Sequence, residues 1–333
     1  MKFDIKRDKS YLKKLQDCIN KNYDLEINKI SEASRGVDGE TWILQSGRKR
    51  YFAKISYYDS HKVRFINSVK TLKILNDNNI KNINSIIRTT NGKDYMNFEG
   101  GLLTVYTFVN GEIDFQYPYN KIIRLLLPVY RVKGDFKNLI KEDFNINNLC
   151  LRIMKEIENS DNDEVSKIMN LNKNKIIGYL NGLKYYHKRI NRKSELFITH
   201  GDACVNVMVA KNKKCLIDWD DSIVAPIERD CWFFIDSKDK IGYINNYFNQ
   251  KKFNYKLSND LLFFYAYKRA IEYIDELIIK YKASTNTDNL SEIEEILNGW
   301  VDMKLEAIKK VWGGFYDVNT IWLWSNSLLS RKG

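Results

Sequence analysis

The chain has 333 residues, 44% of them hydrophobic, with 54 Lys and Arg against 42 Asp and Glu for a formal net charge of +12. That is enough for a large core in two domains or lobes, while no apolar run approaches the roughly 20 residues that span a bilayer. The charged N-terminus lacks the apolar stretch of a signal peptide, and the five scattered cysteines form no C-x-x-C pair that would mark a zinc site or a disulfide framework. The lysines are spread among many Asn and Ile residues, not gathered in a stripe, which argues against nucleic acid as the partner. These features predict a cytoplasmic protein with no membrane and no nucleic-acid partner; monomer and dimer both stay open.

In chain order, helical spacing of Tyr11, Leu12, Leu15, Cys18 and Ile19 predicts a helix within residues 1–22. Strand-like pieces follow at Leu25–Ile30, Thr41–Leu44 and Arg50–Ile55. The loop from Ser31 to Glu40 carries Gly36 and Gly39, so its backbone amides could approach phosphates. Alternation puts Lys54 on the same face as Phe52, away from Ala53 and Ile55, where an ammonium on a half-buried strand could reach a nucleotide. A helix is predicted over 61–79. An Asn91-Gly92 turn signal then predicts a hairpin between Ile83–Thr90 and Tyr95–Phe98, and Leu102–Val109 reads as a buried strand. Sheet, helix and sheet again describe an α+β region of about the first 110 residues. Beyond Lys121 helices dominate, with candidates at 121–130, 147–158, 164–190, 259–283, 290–311 and 320–329. An aromatic helix is expected at Cys231–Ile235, just after Pro226.

Two short strands interrupt the helices and carry the most informative residues. One apolar run leads into His200-Gly201-Asp202, with Asn206 four positions later, and Cys215-Leu216-Ile217 delivers Asp218. Phosphoryl transfer from ATP needs one carboxylate to take or orient the hydroxyl proton, and an amide with a second carboxylate to hold Mg²⁺ on the phosphates. Two strands joined by a tight turn at Asn212-Lys213-Lys214 would gather all three at one end of a hairpin. Cys204 in the same loop raises the option of a thiol nucleophile, for which a base would also be needed; a small loop residue is the simpler reading.

Taken together, Lys54, the segment Val105-Tyr-Thr-Phe-Val-Asn-Gly111, His200-Gly-Asp202, Asn206 and Ile217-Asp-Trp-Asp220 resemble the aminoglycoside phosphotransferase superfamily, with its two-lobed protein-kinase-like fold. The run Ile217-Asp-Trp-Asp-Asp-Ser-Ile-Val-Ala-Pro-Ile-Glu-Arg-Asp230 is most similar to the branch that contains spectinomycin phosphotransferases. The resemblance implies an α+β fold with a small antiparallel-sheet lobe at 1–109 and a larger, mainly helical lobe at 110–333 bearing the catalytic loop and acceptor site. It implies ATP or GTP with Mg²⁺ as cofactors, and transfer to a hydroxyl of a small acceptor. Asp202 would be the catalytic base, Asn206 and Asp218 the metal ligands, and Lys54 the contact to the α- and β-phosphates. Gly36 would lie over the phosphates, and Thr107 to Val109 would meet the adenine edge. His200 would brace the loop and Asp230 would tie down its backbone.

Two departures from the kinase pattern stand out. Three residues separate Asp202 from Asn206 where four are usual, so either the loop is shorter or Mg²⁺ is held mainly by Asp218. Asn67, Ser68 and Val69 occupy the helix position where a glutamate would pair with Lys54, so Lys54 needs another partner or contacts phosphate without one. A cationic acceptor such as an aminoglycoside or aminocyclitol calls for acidic residues. Asp220 and Glu228 lead the candidates, with Asp221, Glu272, Asp275 and Glu276 behind them and aromatics such as Trp232, Tyr265 and Trp312 as possible walls. Within the same class the acceptor could be choline, a sugar or a spore-associated metabolite, and the departures also suit a degenerate kinase serving as an interaction module.

Overall fold

The structure is a computed structural model and describes residues 7–33, 39–57, 59–159, 163–211, 213–284 and 288–311. The chain divides into two units, one joining residues 2–142 to 196–225 and the other joining 143–195 to 226–333.

The first unit begins with α1 (Lys9–Tyr23). Asp8 caps it, its side chain accepting from the amides of Ser10 and Tyr11, a device that contributes about 1 kcal/mol. Tyr11, Leu15, Ile19 and Tyr23, four residues apart, form the buried stripe of α1 and join one core cluster with Leu44, Ala53, Ile55, Leu103 and Val105 of the sheet. That sheet is antiparallel. Strands β1 (Lys29–Glu32), β2 (Glu40–Ser46) and β3 (Lys49–Ser56) run as a meander, and β6 (Gly101–Thr107) lies beside β3. Between them in sequence come α2 (Asp59–Asp77), β4 (Ile86–Ile87) and β5 (Met96–Phe98), both of these strands pairing with β6.

Alternation along β6 separates two faces. Leu103 and Val105 join α1, whereas Leu102 packs with Phe65 and Val69 of α2. On β3, Ala53 and Ile55 stand opposite Val105 and Leu103, and Phe52 and Lys54 stand opposite Tyr106 and Thr104. Lys54 therefore shares its face with Phe52, as its place in the alternation requires.

Two expectations for this sheet differ from the structure. The strand predicted at 25–30 begins only at Lys29, because α1 side chains satisfy the preceding backbone. Asn20 accepts from the Ile27 amide at 2.7 Å and Gln16 donates to the Ile27 carbonyl at 2.5 Å. The Asn91-Gly92 turn forms, with Gly92 at φ 76°, but the flanking strands pair with β6 and not with each other. The tight hairpin is β5–β6, turned by Glu99 and Gly100, both at positive φ (47° and 82°), the signature of a two-residue primed turn.

Beyond β6 the first unit continues with β7 (Glu112–Ile113) and α3 (Tyr119–Tyr130), then resumes at β8 (Phe197–Thr199), β9 (Val207–Val209), β10 (Lys214–Leu216) and β11 (Ile223–Ala225). These form two further antiparallel sheets, ordered β10-β9-β7 and β11-β8. The strand leading to Asp202 is therefore not the hairpin partner of the strand leading to Asp218. That partner is β9, which starts just after Asn206, and the turn is closed by the Ala210 amide on the Lys213 carbonyl at 2.8 Å. Asn212 lies outside the described residues.

The second unit is helical. Its elements are α4 (Asn147–Glu158), α5 (Glu164–Leu171), α6 (Lys173–Arg189), the short α7 (Glu228–Cys231) with a 3₁₀ turn at Trp232–Phe234, α8 (Lys238–Gln250), α9 (Asn259–Ser284), α10 (Asp288–Asn298) and α11 (Trp300–Val311). All residues from Leu261 to Ala266 are buried, so this end of α9 is covered all round, as expected of a helix at the centre of a bundle. Tyr186 of α6 stacks on Phe263 at 4.8 Å. Gly182 is glycine because any Cβ there would collide with the Tyr267 ring. The expected 164–190 helix breaks at Asn172 and the expected 290–311 helix at Gly299. Helix α8 was not anticipated, although Ser237 accepting from the Lys240 amide and the buried run Ile241, Ile244, Phe248 are start and face signals. The predicted 320–329 helix lies outside the described residues. Among the described residues no helix is long and apolar enough to cross a membrane.

Candidate active site

The His200 loop is fixed before any catalytic group is considered. Gly201 adopts φ 89°, a left-handed conformation that glycine takes without steric cost. His200 has no exposed surface. Its Nδ1 accepts from the Asp202 amide at 3.3 Å, so the ring proton sits on Nε2, which donates to the Ile217 carbonyl at 2.9 Å. The ring lies 4.5 Å from that of the buried Trp219, whose Nε1 donates to the Leu216 carbonyl at 3.3 Å. One imidazole thus ties the Asp202 turn to the end of β10, the bracing duty implied by the resemblance.

Asn206 continues the link. Its Nδ2 donates to the Asp202 backbone carbonyl at 2.9 Å and to Asp202 Oδ2 at 3.0 Å, and its backbone carbonyl accepts from the Ile217 amide at 3.1 Å. Both side-chain contacts are to acceptors, which fixes the orientation of the amide and leaves its oxygen as the group available to a cation. Despite the short spacing, the Asn206 side chain returns directly onto the carboxylate four residues earlier. Cys204 Sγ donates to the other oxygen, Asp202 Oδ1, at 3.6 Å. Burial, reinforced by Asp202, pushes the Cys204 thiol up, the opposite of what activates a cysteine nucleophile.

Asp218 follows β10 at φ 58°, and its side chain is half exposed. Lys54 Nζ lies 2.9 Å from Asp218 Oδ1 and 2.6 Å from Asp220 Oδ2. Burial would depress the Lys54 ammonium, but the carboxylates of Asp220 and then Asp218 outweigh it and hold the group above its ordinary value. Burial also raises the Asp220 carboxyl, against the pull of Lys54. Two carboxylates thus meet one ammonium. Asp220, expected to face an acceptor, is thus the nearer partner of Lys54.

These residues border a cavity of about 230 Å³. Phe52, Met208 and Ile217 line its apolar part, and Lys54, Asn206 and Asp218 its charged end. Asp202 is not among the residues that line this cavity; it is hydrogen-bonded to Asn206, which is. Thr107, Phe108 and Val109 line the same cavity. The Thr107 amide donates to the Ser85 carbonyl at 2.8 Å, and Thr107 Oγ1 accepts from the Ser85 amide at 3.0 Å, so this residue anchors the segment. Arg50 stacks its guanidinium 4.2 Å above the Phe108 ring and donates to Asn110 Oδ1 at 2.8 Å. Gly111 must be glycine, since a Cβ would collide with the Val209 carbonyl. Gly36 lies outside the described residues.

The remaining acidic candidates are engaged elsewhere. Glu228 has no exposed surface; its Oε1 accepts from the Ser258 amide at 2.6 Å and its Oε2 from the Tyr255 hydroxyl at 2.7 Å, which fixes the chain just before α9. Asp275 receives a bidentate Arg152, and Glu272 accepts from Arg269 at 2.9 Å beside Lys268 at 3.3 Å. Asp221 lies 3.4 Å from Arg64. Tyr265 and Trp232 are core, and Trp312 lies outside the described residues. Asn67, which sequence reasoning read only as a missing glutamate, is a structural hub: its Nδ2 donates to the Ser222 carbonyl at 2.6 Å and its Oδ1 accepts from the Ile140 amide at 2.7 Å.

No family model and no curated protein matches the chain. Solved structures do. A spectinomycin phosphotransferase, APH(9)-Ia, solved with ADP and spectinomycin, is 20% identical with a TM-score of 0.65, covering 93% of this chain and 96% of its own; its AMP complex gives 17% identity, a TM-score of 0.70 and coverage of 91% and 99%. An aminoglycoside phosphotransferase from Alicyclobacillus acidocaldarius is 13% identical with a TM-score of 0.54, over 89% and 93% of the two chains. The chain has the kinase-like fold of the aminoglycoside phosphotransferases, the spectinomycin branch included, as the sequence resemblance implied.

Proposed function

We propose that this chain is a phosphotransferase that moves the γ-phosphoryl group of ATP to a hydroxyl of a small acceptor. The observation that carries the reading is a single cavity lined both by Lys54, Asn206 and Asp218 and by Thr107 to Val109, with Lys54 2.9 Å from Asp218. A purine fits the apolar part between Phe52 and Met208, its edge meeting the backbone of Thr107 to Val109, and the phosphates then run toward Lys54. Solved structures of the same fold contain ADP, AMP or AMP-PNP, which supports an adenine nucleotide; nothing comparable supports GTP.

The donor set suits Mg²⁺. Among the described residues no group of three or more His, Cys, Asp or Glu is arranged for a metal. One amide oxygen and one half-exposed carboxylate are what a magnesium ion needs when phosphates and water complete its shell. Asn206 and Asp218 would hold it, and once bound it would neutralise phosphate charge. Asp202, fixed by Asn206 and Cys204, orients the acceptor hydroxyl and receives its proton. The hydroxyl oxygen bonds to the γ-phosphorus as the bridging oxygen leaves with ADP. Lys54 steadies the charge that develops on the phosphates.

The functional division at 109/110 belongs to this proposal: the earlier part supplies the base-binding segment and Lys54, the later part the carboxylates. An aminocyclitol or aminoglycoside is the leading acceptor, supported by the run from Ile217 to Asp230 and by a neighbour of the same fold solved with spectinomycin. No role is assigned to Glu228, whose burial keeps it from an acceptor. The test is acceptor-dependent ADP release in a coupled assay over spectinomycin, aminoglycosides, choline and sugars. Release with one acceptor, abolished in Asp202→Ala while ADP still binds, is the expected result. No release with any acceptor, or undiminished release in the variant, overturns the reading.

A further inference from the structure

Lys54 is the only cation at the charged end of the cavity among its described lining residues, yet two carboxylates meet it. In protein kinases the corresponding lysine is held by a glutamate from the following helix. Here α2 offers none. Asn67 is committed to Ser222 and Ile140, Val69 is core, and Ser68, which donates to the Phe65 carbonyl at 2.9 Å, carries no charge and also hydrogen-bonds the Asp220 carboxylate. What α2 does instead is hold the stretch after Asp218 close: Asn67 binds the Ser222 carbonyl, and the Ser222 hydroxyl lies 3.2 Å from that of Thr71. Small polar side chains on this face allow the stretch to approach β3, and Asp220 arrives at Lys54.

We propose that Asp220 is the positioning residue that holds Lys54 on the nucleotide phosphates, a task moved from the helix to the loop two residues beyond the metal ligand. The inference rests on the phosphotransferase reading above. Lys54 is only 13% exposed, and a buried ammonium is stable only when paired. Once Asp218 turns to the metal, Asp220 remains to balance and orient it. The alternative duty for Asp220, a further metal ligand, makes opposite demands on binding measured without metal.

The experiment is calorimetric titration of ADP, with EDTA and with Mg²⁺, into wild type, Asp220→Asn and Asp220→Asn/Ser68→Glu, with melting temperatures as the fold control. Ser68 borders the same cavity as Lys54, so a glutamate there returns the carboxylate to α2. Asp220→Asn should weaken ADP binding in EDTA about tenfold, the scale of one lost charged hydrogen bond, while keeping the wild-type gain on adding Mg²⁺. The double variant should recover to within about threefold. Unchanged affinity in EDTA with the Mg²⁺ gain lost makes Asp220 a metal ligand and overturns the proposal alone. No ADP binding by wild type overturns the phosphotransferase reading and this inference with it. If Asp220→Asn does not fold, the double variant decides: recovery of fold and binding supports the proposal, and failure of both refutes it.

Discussion

Asp218 occupies left-handed backbone space at φ 58°, which disfavours most side chains by about 1–2 kcal/mol and is least unfavourable for Asn and Asp. Its residue type therefore serves the turn as well as the chemistry, a double constraint invisible in the sequence, where only the carboxylate stood out. Lys54 was legible because strand alternation fixes which face a residue takes. Its partner Asp220 was not, because that pairing depends on how a distant loop packs on β3. Glu228 misled for a related reason: acidic and close to Asp218 in sequence, it is buried and doubly bonded. Burial raises its carboxyl pKa even against the Ser258 and Tyr255 contacts. A carboxyl raised on folding binds its proton more tightly in the native chain, so stability falls as pH rises from the ordinary glutamate range through the raised value. Glu228→Gln keeps an acceptor for the Ser258 amide and can donate to the Tyr255 oxygen. Thermal melts should show the variant at least as stable as wild type at neutral pH, with the pH-dependent decline reduced; a large loss of stability would show that the anion itself is needed.

At the scale of elements, helix α2 buries Phe65, Val69, Leu72 and Leu75 and adds one buried amide, Asn67, that ties it to Ser222 and Ile140. Asn67→Asp turns a donor into an acceptor facing the Ser222 carbonyl and should cost about 1–3 kcal/mol, the usual penalty for a buried polar group left unpaired. Urea unfolding would measure it, and a loss under 0.5 kcal/mol would show that the stitch is dispensable. Legibility of elements followed the same logic. The stripe on α1 and the buried run of β6 were evident from periodicity. The β5–β6 hairpin was missed because its turn, Glu99-Gly100, is a less familiar pair than Asn91-Gly92, and the more familiar turn connects strands that both dock on β6. Helices 164–190 and 290–311 read as continuous because apolar spacing carries through Asn172 and Gly299, where the backbone breaks.

On the scale of the whole molecule, the groups assigned to nucleotide and metal all fall in the unit built from residues 2–142 and 196–225. The sequence suggested two lobes but could not show that residues 196–225 join the first, because links such as the bridge between Ile83 and Leu216 connect residues far apart in the chain. Hydrogen exchange with and without ADP and Mg²⁺ should therefore show protection in 40–57, 101–111 and 196–220, and none in α10 or α11. Protection that spares 196–220 would count against the assigned phosphate end.

The interposed segment 143–195 has a consequence for biogenesis. A nascent chain emerging from the ribosome presents the large antiparallel sheet early, but β8 to β11 only after three helices of the other unit have been made. Contacts of such long sequence separation form late and slowly. Until they do, Phe52 and Tyr106 lack Met208 and Ile217, with which they line the cavity, a stage at which partly made chains are prone to aggregate.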